Sequence, residues 1–362
     1  MSNVGGDVNG LSVYFKPWTT EDWYSISVLT LHEELGGQVG SGQIKLILHC
    51  LTNEALKKVT ELKTGTIEIL SDSGPTLGIP IFITEKNYFN NFLTLSFICT
   101  KNNNDFFITK TESQSYNGIE DAVSTYFPNY DSNIDPTTEL TKLRLVQINE
   151  SGRDFCNKLA LGWRPNSVFG YTLDGNLLIR DITDTEGKLE VAMGKTRLFT
   201  KFPTMPRTPL LDTVPYNPWE RESKDLEENL TRKDYSEDAP ENITSRVFKN
   251  TYCMASSQFN RLLEASCFNS RLYTSKFYSE GEILANTFPF YRIGDIVKLI
   301  NTGYGVTDAD IESDMSPRLI SKNFLIGSWS LFWSGVGAEG LTDSHGYNFS
   351  VTSKIYGLDR NE

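Results

Sequence analysis

The feature that most constrains this 362-residue chain is a strict two-residue alternation near its C-terminal end. Tyr347, Phe349, Val351, Ser353 and Ile355 fall on one side of an extended chain, and Asn348, Ser350, Thr352, Lys354 and Tyr356 on the other. Only a half-buried β-strand sorts side chains with that period. The same phase recurs upstream, with Leu93, Leu95, Phe97 and Cys99 in the run Phe92–Cys99. In the stretch 42–50 it is carried by Ile44, Leu46, Leu48 and Cys50. Shorter β-branched runs occupy Thr66–Ile69, Ile79–Ile83 and, after Gly294-Asp295, Ile296–Ile300. Phe324–Trp333 reads as a long strand that the Gly-rich loop Ser334–Gly346 joins to the last one, making a large hairpin. Gly, Pro and Asn clusters at Ser71–Pro75 and Lys101–Asn104 separate the early strands, as in an antiparallel sandwich or barrel.

Between these β-rich ends the pattern changes. One helix is expected already within the first β-region, at Asn53–Leu62, and a second at Asn117–Tyr126, stopped by Pro128. Ser151-Gly-Arg-Asp154 has the form of a capping box, and it opens an amphipathic segment in which Phe155, Cys156, Leu159 and Ala160 share a face. Asp174-Gly175 is a hairpin signal between Ser167–Thr172 and Asn176–Ile182. Glu220–Asn242 is dense in charge and nearly free of large apolar groups, as a solvated loop or arm would be. Helical spacing returns over Ser256–Asn269 through Phe259, Leu262, Leu263 and Cys267. Ala is scarce while Thr, Ile, Tyr and Phe are plentiful, so the fold class predicted is α+β and β-rich.

Several function classes find no support. A net charge of -12 argues against gripping nucleic acid by phosphate neutralisation. Cys50, Cys99, Cys156, Cys253 and Cys267 are scattered, with no C-x-x-C pair for zinc or redox chemistry, so reduced and mostly buried thiols are expected. Met1–Gly10 lacks the basic and apolar regions of a signal peptide, and no apolar window is long enough to span a membrane. Gly37-Gln-Val-Gly-Ser-Gly42 resembles a phosphate loop, but Gln43 and Ile44 stand where Lys and Ser/Thr are required, and the run leads into a strand. Met193-Gly-Lys-Thr196 carries the other half of that motif, with Leu189 in place of its first Gly. The histidines are His32, His49 and His345, and His32-Glu-Glu34 lacks the second His of a zincin. No Ser lies in a G-x-S-x-G elbow. With 46 acidic residues, paired carboxylates for glycoside hydrolysis stay open but unmarked, and Trp329 and Trp333 fit a sugar cleft, a core or an interface.

The order of elements resembles that of the central baseplate hub of contractile-tailed phages, the T-even type, and the related N-terminal hub part of the valine-glycine-repeat spike proteins of type VI secretion. Ser115–Phe127 carries the likeness first, as a Ser-Tyr-Asn-Gly start into a short helix. Asp154-Phe-Cys-Asn-Lys-Leu-Ala160 and then Tyr171-Thr-Leu-Asp-Gly-Asn-Leu-Leu178 carry it second. Gln258–Asn269, Phe290–Ile300 with its Gly294, Lys322–Trp329 and Tyr347–Tyr356 carry it third. The resemblance implies two tail-tube-like antiparallel β-barrel domains, at 1–112 and 274–362, flanking an α+β middle region at 113–273 that includes the charged loop 220–242.

The same resemblance implies a structural role, with no catalytic residue, cofactor or metal. Three copies with two barrels each would form a pseudo-sixfold ring joining a hexameric tail tube to a trimeric central spike. DNA would pass through the lumen without specific binding, with an acidic wall repelling it. Other baseplate proteins would be partners, a membrane would not, and the site of action would be the virion tail after assembly in the host cytoplasm. Since the last strand ends close to Glu362, the spike is expected to be a separate protein. Trp329, Phe332 and Trp333, beside the Gly-rich loop, are the candidate subunit-interface residues. The competing readings are another tail-tip ring of the distal-tail type, a cell-wall glycan hydrolase and a host-binding module.

Overall fold

A computed structural model of the chain describes residues 11–19, 22–47, 52–71, 77–101, 104–110, 114–132, 145–147, 149–163, 167–182, 186–194 and 196–204. It further describes 215–216, 220–221, 230–231, 246–247, 277–286, 288, 290–300, 319, 321–335 and 348–358. The expected helix at Ser256–Asn269, most of the charged loop 220–242 and the Gly-rich loop beyond residue 335 lie outside these residues.

The first part contains β1 (Leu11–Pro17), β2 (Tyr24–Ser25), β3 (Val28–Glu34) and β4 (Ser41–Ile47). Helix α1 (Asn53–Glu61), β5 (Thr64–Ser71), β6 (Leu77–Phe89) and β7 (Phe92–Cys99) follow. Next come α2 (Asn104–Phe107), β8 (Gln114–Tyr116), α3 (Ile119–Tyr126), β9 (Asp131–Ser132) and β10 (Leu145–Gln147). Helix α4 (Gly152–Trp163), the hairpin β11 (Ser167–Tyr171) and β12 (Leu177–Asp181), then β13 (Leu189–Ala192) and β14 (Arg197–Thr204) complete the middle. Four two-residue strands, β15 (Pro215–Tyr216), β16 (Glu220–Arg221), β17 (Leu230–Thr231) and β18 (Arg246–Val247), pair among themselves. The chain closes with β19 (Ser279–Ala285), β20 (Ile296–Ile300), β21 (Asn323–Ser334) and β22 (Asn348–Gly357).

The molecule is β-rich, built on one large curled sheet of 13 strands with few helices among the described residues. Its main path runs β14-β19-β22-β21-β3-β4-β7-β6-β5-β1-β2, with β20 and β13 branching from β21. Every ladder in it is antiparallel except that between β13 and β20. Two strands change neighbours along their length. β21 borders β22 on one edge, and on the other it borders β20 at Asn323–Leu325 and β3 at Ser328–Ser334. The stretch Tyr24–Glu34 pairs with β1 at its start and with β21 from Val28 onward. Between those pairings Ile26 N donates to Val13 O (3.1 Å) and Ser27 N to Lys45 O (2.8 Å).

Period-two alternation accounts for the main core. β7 buries Leu93, Leu95, Phe97 and Cys99, β4 buries Ile44 and Leu46, and β3 buries Leu29 and Leu31. At the start of β21 the alternation gives way to a continuous buried run, Phe324, Leu325 and Ile326. Phe324 and Ile326 pack with Val191, Val297 and Ile355, whereas Leu325 packs on the other face with Val168 and Ile182. A strand covered on both faces has no solvent side to alternate with. The bulge between Ile326 and Ser328 marks the point where the regular phase resumes.

A second core, around Phe106, Tyr126, Phe155 and Tyr171, holds the α+β segment. Ser151 caps α4 as the sequence suggests: Asp154 N donates to Ser151 Oγ (3.1 Å), and that hydroxyl in turn donates to the Asp154 carboxylate (2.8 Å). Gln147 is fully buried; its Oε1 accepts from the hydroxyls of Tyr116 (3.0 Å) and Tyr126 (2.7 Å), and its Nε2 donates to Glu150 O (3.0 Å). That network satisfies polar groups which would otherwise cost about 1–3 kcal/mol each when buried.

The β11–β12 turn depends on Gly175. Its φ is +76°, and a Cβ there would lie 2.7 Å from Lys101 N. Both the left-handed backbone and the close approach exclude a side chain. Gly175→Ala is therefore expected to destabilise the fold by about 1–3 kcal/mol in chemical denaturation; an unchanged midpoint would show that the turn relaxes at no cost.

Candidate functional site

The ladder between β3 and β21 joins the N-terminal and C-terminal strands into one sheet, so its two faces define what each half contributes. Seven residue pairs run from Ser328↔Glu34 to Ser334↔Val28. Directly paired residues share a face in an antiparallel ladder. Trp329 opposite Glu33, Leu331 opposite Leu31 and Trp333 opposite Leu29 point into the core. Ser330 opposite His32 and Phe332 opposite Thr30 point to the other side.

That division separates the three aromatic residues singled out from the sequence. Trp329 is 4 % exposed and Trp333 5 %, so both pack in the core of this chain, while Phe332 is 39 % exposed. Trp329 meets Phe288 edge-on, with ring centroids 6.3 Å apart, and its Nε1 donates to the Glu33 carboxylate. Of the three, Phe332 alone presents substantial area to a second molecule. Burial of Trp329 and Trp333 follows from phase: they alternate with Ser328, Ser330 and Phe332, and the larger apolar set takes the inside.

The outward face around Phe332 is a shallow trough of about 350 Å³, lined by Thr30, His32, Ser41, Ser330, Ser350 and Thr352 among others. His32 Nδ1 lies 2.7 Å from Ser330 Oγ, and His32 Nε2 lies 3.7 Å from Glu34. Gln43 N donates to Thr30 Oγ1 (3.2 Å), and Gln43 Nε2 donates to Ser96 Oγ (3.3 Å). Hydroxyl side chains are numerous on this face, beside the exposed Phe332 ring. Its flanks carry Lys45 and Lys354 together with Glu34 and Glu282.

The motifs that resembled chemical sites are taken up by structure. The run Gly37–Gly42 leads into β4 rather than a helix, and a Cβ at Gly37 would lie 2.6 Å from Asn157 Nδ2. At the β13–β14 turn, Gly194 and Arg197 exchange both backbone hydrogen bonds. Cys99 and Cys156 are buried free thiols, and burial pushes both well above the ordinary thiol value. Among the described residues no group of three metal-ligating side chains assembles, and no helix is long and apolar enough to cross a membrane.

Two features were not singled out from the sequence. The first is a set of exposed aromatics. Phe89, 72 % exposed, and Tyr88 sit at the tip of the β6–β7 hairpin, whose turn residue Asn90 has φ +51°. Trp18 and Trp23 stand near β1, with Lys16 Nζ 5.2 Å from the Trp23 ring centre and Trp18 Nε1 donating to Thr66 Oγ1 (2.9 Å). Asn90-Asn91 directly after two aromatics was the available signal for the hairpin tip. The second is Glu33, a carboxylate on the inward phase of β3 after Leu29 and Leu31, and 2 % exposed.

Neither a protein-family model nor a curated protein matches the chain. Solved structures do. The 43 kDa tail protein of prophage MuSo2 from Shewanella oneidensis is 10 % identical with a TM-score of 0.54, the match covering 97 % of this chain and 98 % of that one. A tail protein from Neisseria meningitidis MC58 is 10 % identical with a TM-score of 0.56 over 96 % of each chain. A chain in the lidded Francisella PdpA–VgrG complex is 10 % identical with a TM-score of 0.51; there the match covers 99 % of this chain and 54 % of the other. The fold of this chain is thus similar, from end to end, to that of solved tail proteins.

The two faces of the joint set opposite expectations for mutation. Trp333→Ala should cost about 3–5 kcal/mol of stability, as truncation of a core aromatic does. Phe332→Ser should cost the isolated chain clearly less, about 1 kcal/mol, since its ring is partly exposed. Urea unfolding of both variants measures this, and equal losses would refute the assignment of faces.

Proposed function

We propose that this chain is a structural tail protein of the hub type, which assembles as a homotrimeric ring. The observation that carries this reading is the repeated device in the sheet. In each half, one strand keeps a neighbour of its own half on one edge and on the other edge changes from a partner in its own half to a strand of the other half: Tyr24–Glu34 passes from β1 to β21, and β21 passes from β20 to β3. We read the two halves as two tube-like barrels joined edge to edge. One comprises β1 to β7, within the expected 1–112; the other comprises β19 to β22, within the expected 274–362, together with β13 and β14, which fall in the expected middle region 113–273 but pair with β20 and β19. The α+β segment with its own core is the middle domain.

Three copies with two such halves each present six similar units around an axis, which is how a trimer can abut a sixfold ring. The reading is supported by the full-length fold likeness to proteins named as tail proteins, and by the partial likeness to a chain from a VgrG complex. On this reading one side of the ring meets the tail tube and the other a trimeric spike. DNA passes through the lumen unbound, repelled by the chain's charge of -12 per copy. Phe332 and the hydroxyl-rich trough around it are the proposed contact surface, and no catalytic residue is assigned.

Native mass across a range of concentrations tests the proposal. A species near three times 40.9 kDa is expected, alone or with a candidate spike protein, and Phe332→Ser should shift it towards the monomer. A strict monomer under both conditions, or a hexamer, would overturn the trimeric ring.

A further inference from the structure

The two halves of the sheet follow one plan in the same chain order. With Tyr24–Glu34 read as one strand, β1, Tyr24–Glu34, β4, β5, β6 and β7 match β13, β14, β19, β20, β21 and β22. β4 pairs with β7 as β19 pairs with β22, and β5 pairs with β6 as β20 pairs with β21. One ladder departs, β1 and β5 being antiparallel where β13 and β20 are parallel. The match extends to register. The bulge between Ile83 and Glu85 in β6 corresponds to the bulge between Ile326 and Ser328 in β21. Aligning the bulges sets Phe89 level with Phe332, and through β7 and β22 it sets Gly42 level with Gly281. At both glycines a Cβ would press on a carbonyl of the strand alongside, Thr30 O in β3 and Lys201 O in β14.

The β3–β21 joint uses two parts of this plan. Beyond its bulge β21 lays Ser328–Ser334 on β3, and β3 offers the edge that it has turned away from β1. The matching parts are open. Beyond its bulge β6 continues as Glu85–Phe89, with β7 on one edge and, among the described residues, no strand on the other. β14 leaves the Gly194–Arg197 bridge after β13 and runs to Thr204, with β19 on one edge and, among the described residues, no strand on the other. Exposure marks the missing partner. Leu331 is 3 % exposed in the joint, whereas Tyr88, its match, is 51 % exposed; Phe332 is 39 % exposed and Phe89 72 %. On β14, Phe199 and Phe202 are only partly buried against the core of their half.

An open strand edge is a template for another chain, and the internal joint shows what this template accepts. We propose that the β6–β7 hairpin of one copy pairs antiparallel with the β14 edge of a second copy, repeating the β21–β3 joint between chains. Tyr88 then turns inward towards Phe202, and Phe89 lies opposite Lys201 as Phe332 lies opposite Thr30. Each copy offers one hairpin and one edge, so the contact runs head to tail, the geometry that closes a ring or extends a filament. The inference rests on the proposed trimeric ring only for the number of copies.

Mild oxidation of the full-length chain tests the pairing. Phe89→Cys and Lys201→Cys combined in one chain should give covalent multimers of up to three copies, and neither substitution alone should give them. Tyr88→Asp should weaken association at least roughly tenfold, read as native mass against concentration. Urea unfolding at concentrations where the chain is monomeric checks that this variant folds. A trimer that forms without cross-links, or a folded Tyr88→Asp variant that associates as the wild type does, would overturn the pairing and leave the ring standing. A ladder of cross-linked species running past three copies supports the pairing and rejects the trimer. A monomer without cross-links rejects both.

Discussion

Strand β3 meets strand β21 across almost the whole chain; the paired residues His32 and Ser330 are 298 positions apart. Closing so long a loop costs only slowly increasing entropy, about 0.6 kcal/mol for each doubling of length. In return, the ladder's inward pairs fill the core where the two halves meet. Leu29, Leu31, Leu331, Trp329 and Trp333 then leave water together, each contributing about 1.5–3 kcal/mol relative to exposure. The joint is thus both the most non-local contact of the sheet and the one that decides whether the N-terminal and C-terminal strands share a core. A topology dominated by such pairings folds slowly, because long-range closure precedes its reward.

The joint also explains how the middle segment is positioned. Gly175 allows the β11–β12 turn to approach Thr100 and Lys101 at the end of β7, and Leu173 beside it donates to Glu33. Leu35, just after β3, bridges to Gly170 of β11, and a Cβ at Gly170 would press on Ile293. Backbone close approach at two glycines and one buried carboxyl therefore set where the α+β segment sits against the sheet. Its own core, around Phe155 and Tyr171, needs only to be internally well packed.

Much of this was legible in the sequence, for reasons that differ by element. Phe92–Cys99 and the run through Val351 and Ile355 declare their inward faces because one side is wet, and the structure places those faces as read. The Ser151–Asp154 box and the Asp174-Gly175 turn are local chemistry, so they too were readable. Partner choice was not. Nothing in Tyr24–Glu34 says that it leaves β1 for β21, and nothing in Leu189–Ala192 announces a parallel pairing with β20. Both depend on edges presented by residues far away. Trp329 and Trp333 read equally as core or contact because a tryptophan on a strand serves either, and only their pairing opposite Glu33 and Leu29 separates the two. Glu33 left a trace as a charge in an apolar phase, a signal that local periodicity treats as noise.

At 10 % identity the fold is nonetheless kept over nearly the full length of two solved proteins. That combination is what a binary-patterned sheet permits. Inward positions ask for apolar volume, outward positions for polarity, and many residues satisfy each demand. What resists substitution is narrower: glycines where backbones touch, a cap hydroxyl, and a buried polar group whose partners come from several segments. By that criterion Gly175, with its left-handed backbone, and Glu33, which meets donors from several segments, tie the middle segment to the joint through geometry that apolar volume alone cannot replace.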